Sequence, residues 1–592
     1  MMNRLFCIWS VFLLVLAGCN SAIKQDAGVP NVVIILTDDQ GWGDLGVSGN
    51  LNLETPNIDA LVSEGASFEN FYVCPVCSPT RAEVLTGRYH VRGGVYSTST
   101  GGERLDLDEM TIAEVFRRAG YATAAYGKWH NGMQYPYHPN GRGFEDYYGF
   151  CSGHWGNYFS PMLEHNGRLV KGQGFIIDDF TDHGIEFMEQ HKDEPFFLYL
   201  PFNTPHGPLQ VPDIWWDKFK DKEIGMRSRN SDQEEVNFTR TALAMCENID
   251  WNVGRLLSKI KELGIEDNTI VLYFCDNGPN SWRWNGGMKG RKGSTDEGGV
   301  RSPLFMKWTD HIQKGIEIEQ LSAAIDLLPT LADLAGIDYS TPKPLDGVSL
   351  KPLLLENDPS WHDRNIFNYW RGRLSVRNQN YRLDKDGALF DIENDRGQLH
   401  DISKSHPDIK NQLTEAAEKF RKEIIIELPE NDMRPFLIGH PDARYTQIPA
   451  RDGVGHGNIK RSNRSPNCTF FTNWISLEDS ITWEVEVVDE GEFEIVIYYT
   501  CPRGDEGSVF ELSLGESILT SRILEAHDPP LRGMENDRDK RTNSYVKNFK
   551  AFTMGKLHLD KGSGKLTLRA TEIAGRTVMD VRLIMFKRLN TG

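Results

Sequence analysis

The stretch Val76-Cys77-Ser78-Pro79-Thr80-Arg81-Ala82-Glu83-Val84-Leu85-Thr86-Gly87-Arg88 sets a cysteine in front of a short helical pattern. Ser78 suits a helix N-cap and Pro79 a first helical position. Cys77 is then expected to face free backbone N–H groups and the positive end of a helix dipole, where an anion is stabilised. Arg81 and Arg88 add charge that no working pH removes. A nucleophile, an anion cradle and two guanidinium groups within twelve residues point to chemistry on a tetrahedral oxyanion ester.

Further polar groups stand where apolar runs end. Residues 31–36 are a continuous β-branched run followed by Asp38 and Asp39; residues 268–274 are followed by Asp276 and Asn277. Such runs read as strands buried on both faces of a parallel sheet, whose ligands sit beyond the carboxyl ends. Four oxygen side chains from two strand ends suit a hard cation, and Ca²⁺ tolerates an irregular cage better than Mg²⁺. Lys128 and His130 lie two apart, so on an extended segment both point to one face. His206 follows another buried-type run at residues 195–200.

The elements that must position these groups alternate in type. Helical or strand-like patterns occupy residues 111–119, 122–126, 180–190, 195–200 and 240–263. That order is expected to give an α/β sandwich with a mostly parallel central sheet. Residues 450–467 are Gly-, Asn- and Arg-rich, as linkers are. Beyond them the period becomes two: Ile481, Trp483, Val485 and Val487, then Phe493, Ile495, Ile497 and Tyr499, each mark one strand face. Short alternating strands imply a β-sandwich over residues 468–592. It is either a structural accessory domain or one similar to carbohydrate-binding modules; no motif decides between them.

The Cys77-x-Pro79-x-Arg81 spacing with Leu85-Thr86-Gly87-Arg88 resembles the signature of the type I sulfatases of the alkaline-phosphatase-like superfamily. Gly127-Lys128-Trp129-His130 and the segment from Lys289 through Lys292 to Glu297-Gly298-Gly299-Val300-Arg301 resemble two further motifs of that family. Ser302 departs from it, where a hydrophobic or acidic residue is common. The resemblance implies that Cys77 is converted by a formylglycine-generating or maturase enzyme to Cα-formylglycine, whose hydrate is the nucleophile. It implies one Ca²⁺ held by Asp38, Asp39, Asp276, Asn277 and residue 77. It further implies that Lys128, Lys292 and Arg81 hold the sulfate, that His130 serves the formylglycine hydroxyl, and that His206 faces the leaving oxygen. Lys289 rivals Lys292 by position. Weaker matches continue to about residue 430 and imply a small antiparallel C-terminal subdomain. The expected catalytic domain is then residues 31–340, with the subdomain at 341–449, a linker at 450–467 and the β-sandwich at 468–592.

The chain is 592 residues long, with 39% hydrophobic and 25% charged residues, and its net charge of −19 argues against nucleic acid as a partner. Arg4 precedes an apolar run that is too short to span a bilayer and ends in Leu16-Ala17-Gly18-Cys19, resembling the lipobox of bacterial lipoproteins. A signal peptide at 1–18, lipidation of Cys19 and a tether at 19–30 are expected, with membrane attachment only through the lipid. Asn20, where a retention signal has Asp, directs the expectation to the outer membrane, facing the periplasm or cell surface. Export permits disulfides among the six cysteines left after Cys7, Cys19 and Cys77, but spacing does not pair them.

The substrate expected on these grounds is a sulfated oligosaccharide or polysaccharide, of the ulvan, carrageenan, fucoidan or glycosaminoglycan kind. Trp129, Trp155, Trp282 and Trp284 are candidates to stack on sugar. His154, Arg283 and Arg371 are candidates to meet a neighbouring carboxylate or sulfate. The competing expectations are a phosphonate or phosphate ester hydrolase of the same superfamily, and a catalytically inactive glycan-binding lipoprotein.

Overall fold

The computed structural model describes residues 28–356, 361–429 and 432–589. The expected signal peptide, Cys19 and most of the tether lie outside the described residues. Among those described, no helix is long and apolar enough to cross a membrane.

A ten-stranded sheet organises the first half of the chain. Its five central strands are Thr269–Cys275, Asn31–Asp38, Phe196–Pro205, Ala122–Lys128 and Asp146–Phe150. They run parallel to one another. Both flanks turn antiparallel, at Leu304–Lys307 and at Met162–His165. Every residue of the Asn31–Asp38 strand is buried. Because successive side chains point to opposite faces, Val32, Ile34 and Leu36 enter one core and Val33 and Ile35 the other. Helices Cys77–Thr86, Ile112–Arg118 and Leu327–Leu334 contribute to the first core, and Pro56–Glu64, Ile176–Gln190 and Val236–Glu262 to the second. The sheet is therefore covered on both faces, as its uninterrupted apolar runs require.

A four-stranded antiparallel sheet follows, from Ile366–Trp370 to Leu389–Asp391, with helix Pro407–Glu423 packed on it. The rest is all β. Two six-stranded sheets enclose a core that takes Ile481, Trp483, Val485 and Val487 from one strand and Phe493, Ile495, Ile497 and Tyr499 from another. These are the inward faces that the period of two marks.

The expected linker at 450–467 is corrected. Val454–His456 pairs with Ser480–Val487, and Lys460–Arg461 pairs with Phe471–Thr472. Even earlier, Phe436–Ile438 and Tyr445–Pro449 join the two sheets of the sandwich. The sandwich therefore begins inside the stretch expected to close the preceding subdomain. Strands of two to five residues carry too little alternation to be read against a Gly-rich background.

Candidate active site

The strand ends deliver the polar groups. Asp38 closes the central strand, and Asp39 follows in a left-handed conformation (φ 68°), which aspartate tolerates better than most residues. Asp276 and Asn277 follow the neighbouring strand and are fully buried. The helix bearing the cysteine begins at Cys77 with Val76 as its extended N-cap, so Ser78 lies inside the first turn and is not the cap. The Val76 carbonyl accepts the Thr80 N–H and closes that turn, while Thr80 Oγ1 takes the Cys74 N–H at 2.9 Å. All ten residues of the helix are buried, and Gly87 ends it in the left-handed conformation (φ 67°) with its N–H on Glu83 O.

Asp38, Cys77 and Asp276 offer ligand atoms within 4.8 Å of one another, and so do Asp38, Asp39 and His206. Asn277 donates Nδ2–H to Asp39 Oδ1 at 2.8 Å. Asp38 Oδ1, Asp39 Oδ2 and Asn277 Oδ1 are buried with no hydrogen-bond partner. Leaving three such oxygens unsatisfied is costly, and oxygens of this kind are the ligands a hard divalent cation takes. Burial pushes the Asp276 carboxyl up to about 7, helped by Asp38 and opposed by Arg81. Burial also disfavours charge on Asp39, yet Lys292, His206 and the Asn277 hydrogen bond hold it well below the usual carboxylate range. The residues therefore fit a bound cation.

Basic groups surround this cage. Lys128 Nζ lies 2.5 Å from Asp38 and Lys292 Nζ 2.5 Å from Asp39. Arg81 pairs with Asp276 at 2.9 Å and donates Nη1–H to Lys128 O. Lys289 instead pairs with Asp296 and Asp384, which leaves Lys292 as the lysine of the site. Cys77 is a buried thiol; burial raises its pKa despite Lys128 and Lys292, so in this form it is a poor nucleophile.

Cys77, His130, His206 and Lys292 line one cleft of 520 Å³, together with His154, Trp370 and Arg371. His130 Nε2 is 2.9 Å from Thr98 O, and its Nδ1 is buried without a partner. Bonding to a carbonyl fixes the proton on Nε2 and leaves Nδ1 as the acceptor; burial, with Lys128 beside it, holds the ring neutral well below its ordinary pKa. His206 donates Nδ1–H to Gly207 O at 2.7 Å, and its Nε2 lies 3.7 Å from Asp39. His154 stacks on His206 with ring centroids 5.8 Å apart. His154 Nδ1 accepts a hydrogen bond from Asn467 Nδ2 at 3.2 Å, which puts its proton on Nε2.

Arg283 is corrected as a substrate contact. It is buried, pairs with Asp44 at 2.6 Å and donates to the carbonyls of Asp39 and Gln40. It braces the loop that carries Asp39. None of the four tryptophans lines the cleft: Trp129 is in the core, Trp155 stacks on Phe150, Trp284 meets Trp42 and Trp282 lies under Arg291. The cleft aromatic is Trp370, which no motif marks. The six remaining cysteines are buried free thiols.

A fold with nucleophile helix, acidic cage and paired histidines at the carboxyl end of a parallel sheet defines a class of ester hydrolase. The sulfatase family model matches residues 30–337, and the model of the N-sulphoglucosamine sulphohydrolase C-terminal region matches residues 292–424. The chain belongs to the sulfatase family and is a sulfuric ester hydrolase. It is similar to the N-acetylgalactosamine-6-sulfatase of Mus musculus, 33% identical over 396 residues covering 61% of this chain and 72% of the relative. Arylsulfatase A of Homo sapiens is 34% identical over 398 residues, 60% of this chain and 74% of that one. The crystal structure of Ps i-CgsB in complex with k-i-k-neocarrahexaose superposes with a TM-score of 0.60 at 32% identity, covering 66% of this chain and 92% of that one.

Proposed function

We propose that this sulfatase removes sulfate from a sulfated carbohydrate, with formylglycine made from Cys77 as nucleophile and Ca²⁺ in the acidic cage. The observation that carries this is the meeting of Cys77 with the cage, Lys292, His130 and His206 at one cleft. The carbohydrate is supported by the N-acetylgalactosamine-6-sulfatase relatives and by the neocarrahexaose bound to a structural neighbour.

Asp38, Asp39, Asp276, Asn277 and residue 77 would hold the Ca²⁺, which when bound supplies Lewis-acid polarisation of the nucleophile and a sulfate oxygen. The formylglycine hydrate supplies one hydroxyl for attack and a second that lets sulfate be expelled. The chain's other residues do the rest. Lys128, Lys292 and Arg81 place positive charge around the sulfuryl oxygens. As the sulfur–oxygen bond breaks, charge builds on the departing sugar oxygen. His206 Nδ1–H is committed to Gly207 O, so the ring serves as the acid in its doubly protonated form, giving its Nε2 proton to that oxygen. His130 Nδ1 is the free acceptor for the proton of the second hydroxyl.

Export as an outer-membrane lipoprotein acylated at Cys19 belongs to the same proposal; lipid labelling lost in Cys19→Ala tests it. The activity is tested by sulfate release from ulvan, carrageenan, fucoidan and glycosaminoglycan oligosaccharides, using protein co-expressed with a maturation enzyme. Residue 77 is expected to have lost its sulfur by mass spectrometry, and Cys77→Ala to release no sulfate. Converted protein that cleaves phosphonate or phosphate esters but no sulfated sugar would overturn the reading.

A further inference from the structure

The β-sandwich builds part of the cleft. Arg464, Asn467 and Asn543 line the same 520 Å³ space as Cys77, although both family-model matches end by residue 424. The domain is seated there by buried polar contacts. Arg451 pairs with Glu103 at 2.6 Å, both side chains almost fully buried. Asn467 Oδ1 accepts the Gly153 N–H at 3.3 Å while its Nδ2 donates to His154. Asn543 Nδ2 donates to Gly207 O at 3.2 Å, the carbonyl that also orients His206. Breaking a buried ion pair leaves a bare charge, so the sandwich is held against the catalytic domain at this point.

Arg464 stands apart from these docking residues. Its side chain is exposed and makes no hydrogen bond or ion pair with any described residue. Its loop is nevertheless pinned: Ser462 N–H bonds Phe470 O, Ser462 Oγ meets Ser544 Oγ at 2.7 Å, and Asn463 Nδ2 donates to Thr542 O. A fixed backbone thus presents an unpaired guanidinium to the cleft. Arg371 does the same from the antiparallel subdomain. It occupies a two-residue hairpin turn with Gly372, both at positive φ (48° and 81°), a conformation that is costly for a long side chain such as arginine. Its one described partner is the face of Trp370, 5.2 Å away. Both arginines line the cleft without a carboxylate partner among the described residues, and guanidinium is the group that forks onto sulfate or carboxylate.

We propose that Arg464 of the β-sandwich, with Arg371, forms a second anion subsite, so that the substrate is a saccharide bearing a further sulfate or carboxylate beside the ester that is hydrolysed. This rests on the sulfatase reading above. It makes the β-sandwich a specificity domain of the active site.

The test uses the mature full-length enzyme and matched carrageenan-, glycosaminoglycan- and fucan-derived oligosaccharides. In each set the neighbouring position is neutral, sulfated or a uronate carboxylate. Wild type is expected to favour one charged form over the neutral one, and which of the two it favours identifies the anion. Arg464→Gln is expected to lower that preference ratio in kcat/KM about tenfold, mainly through KM, as loss of one charge-assisted contact does. Arg503→Gln, an exposed arginine of the same domain outside the cleft, leaves the ratio unchanged. An active wild type whose preference survives Arg464→Gln, or which shows no preference, overturns the subsite. A wild type that releases sulfate from none of the sets overturns the activity on which it rests.

Discussion

Arg81 and Asp276, 195 residues apart in the chain, meet in a fully buried pair in which Nε and Nη2 both donate to Oδ2, at 3.2 and 2.9 Å. The pair ties the helix that carries Cys77 to the strand end that carries half of the cage. Arg81→Ala leaves Asp276 buried without its hydrogen-bonded guanidinium partner, a change that costs about 3–5 kcal/mol. A lowered denaturation midpoint is expected together with loss of sulfate release, and Arg81→Ala/Asp276→Asn should be destabilised by less than the sum of the single changes. Calorimetry on the three variants checks this; strict additivity would show that the two side chains do not act as a pair.

The cage can be tested without any turnover. A cation that binds only the folded state stabilises it by about 2.7 kcal/mol at a hundredfold excess over Kd. Added Ca²⁺ should therefore raise the melting temperature of chelator-treated protein. Asp38→Asn and Asp276→Ala should abolish that rise. An equal rise in wild type and both variants would place the ion elsewhere.

His206 is assigned to the leaving oxygen, and its importance should depend on the leaving group. A sugar alkoxide needs a proton, whereas a nitrophenolate scarcely does. General acid catalysis contributes about 10²–10⁴-fold. His206→Ala should lose activity in that range on sugar sulfates and far less on 4-nitrophenyl sulfate. Equal losses on both would assign the ring to another step.

Glu83 gives a pH signature of the fold. Burial pushes its carboxyl up to about 8 from an ordinary 4.5, with Cys74 and the His90 N–H opposing. The folded state therefore holds a proton that the unfolded chain has lost over most of that interval. The stabilisation is complete below pH 4.5 and is lost as pH rises through 8. Glu83→Gln cannot ionise, so its stability relative to wild type should improve with pH, by about 3 kcal/mol between pH 4.5 and 7. Melting curves of both proteins across that range provide the measurement; a constant difference would show an ordinary carboxyl.

Much of the catalytic centre can be read from the chain because local chemistry produces it. Strands buried on both faces must be unbroken apolar runs, so the acids that end them, Asp38, Asp39, Asp276 and Asn277, stand out. A helix start beside Cys77, and Lys128 and His130 two residues apart, are also short-range features. The start itself lies earlier than Ser78 suggests, because Thr80 and Val76 close the turn through hydrogen bonds that residue types do not reveal.

Most of the surroundings of the centre were decided by the tertiary structure, although His154 and Arg371, candidates already in the sequence, do line the cleft. Arg283 looks like a free cation in sequence, and only its meeting with Asp44, 239 residues away, removes it from the cleft. Conversely Trp370, Arg371, Arg464 and Asn467 carry no shared motif, and docking of the β-sandwich brings the last two to His154 and the cleft. Catalytic groups must be set within ångströms of one another by the elements that bear them, which leaves a pattern along the chain. The walls that select a substrate arise where separate domains touch, and contacts of that range leave no periodicity to read.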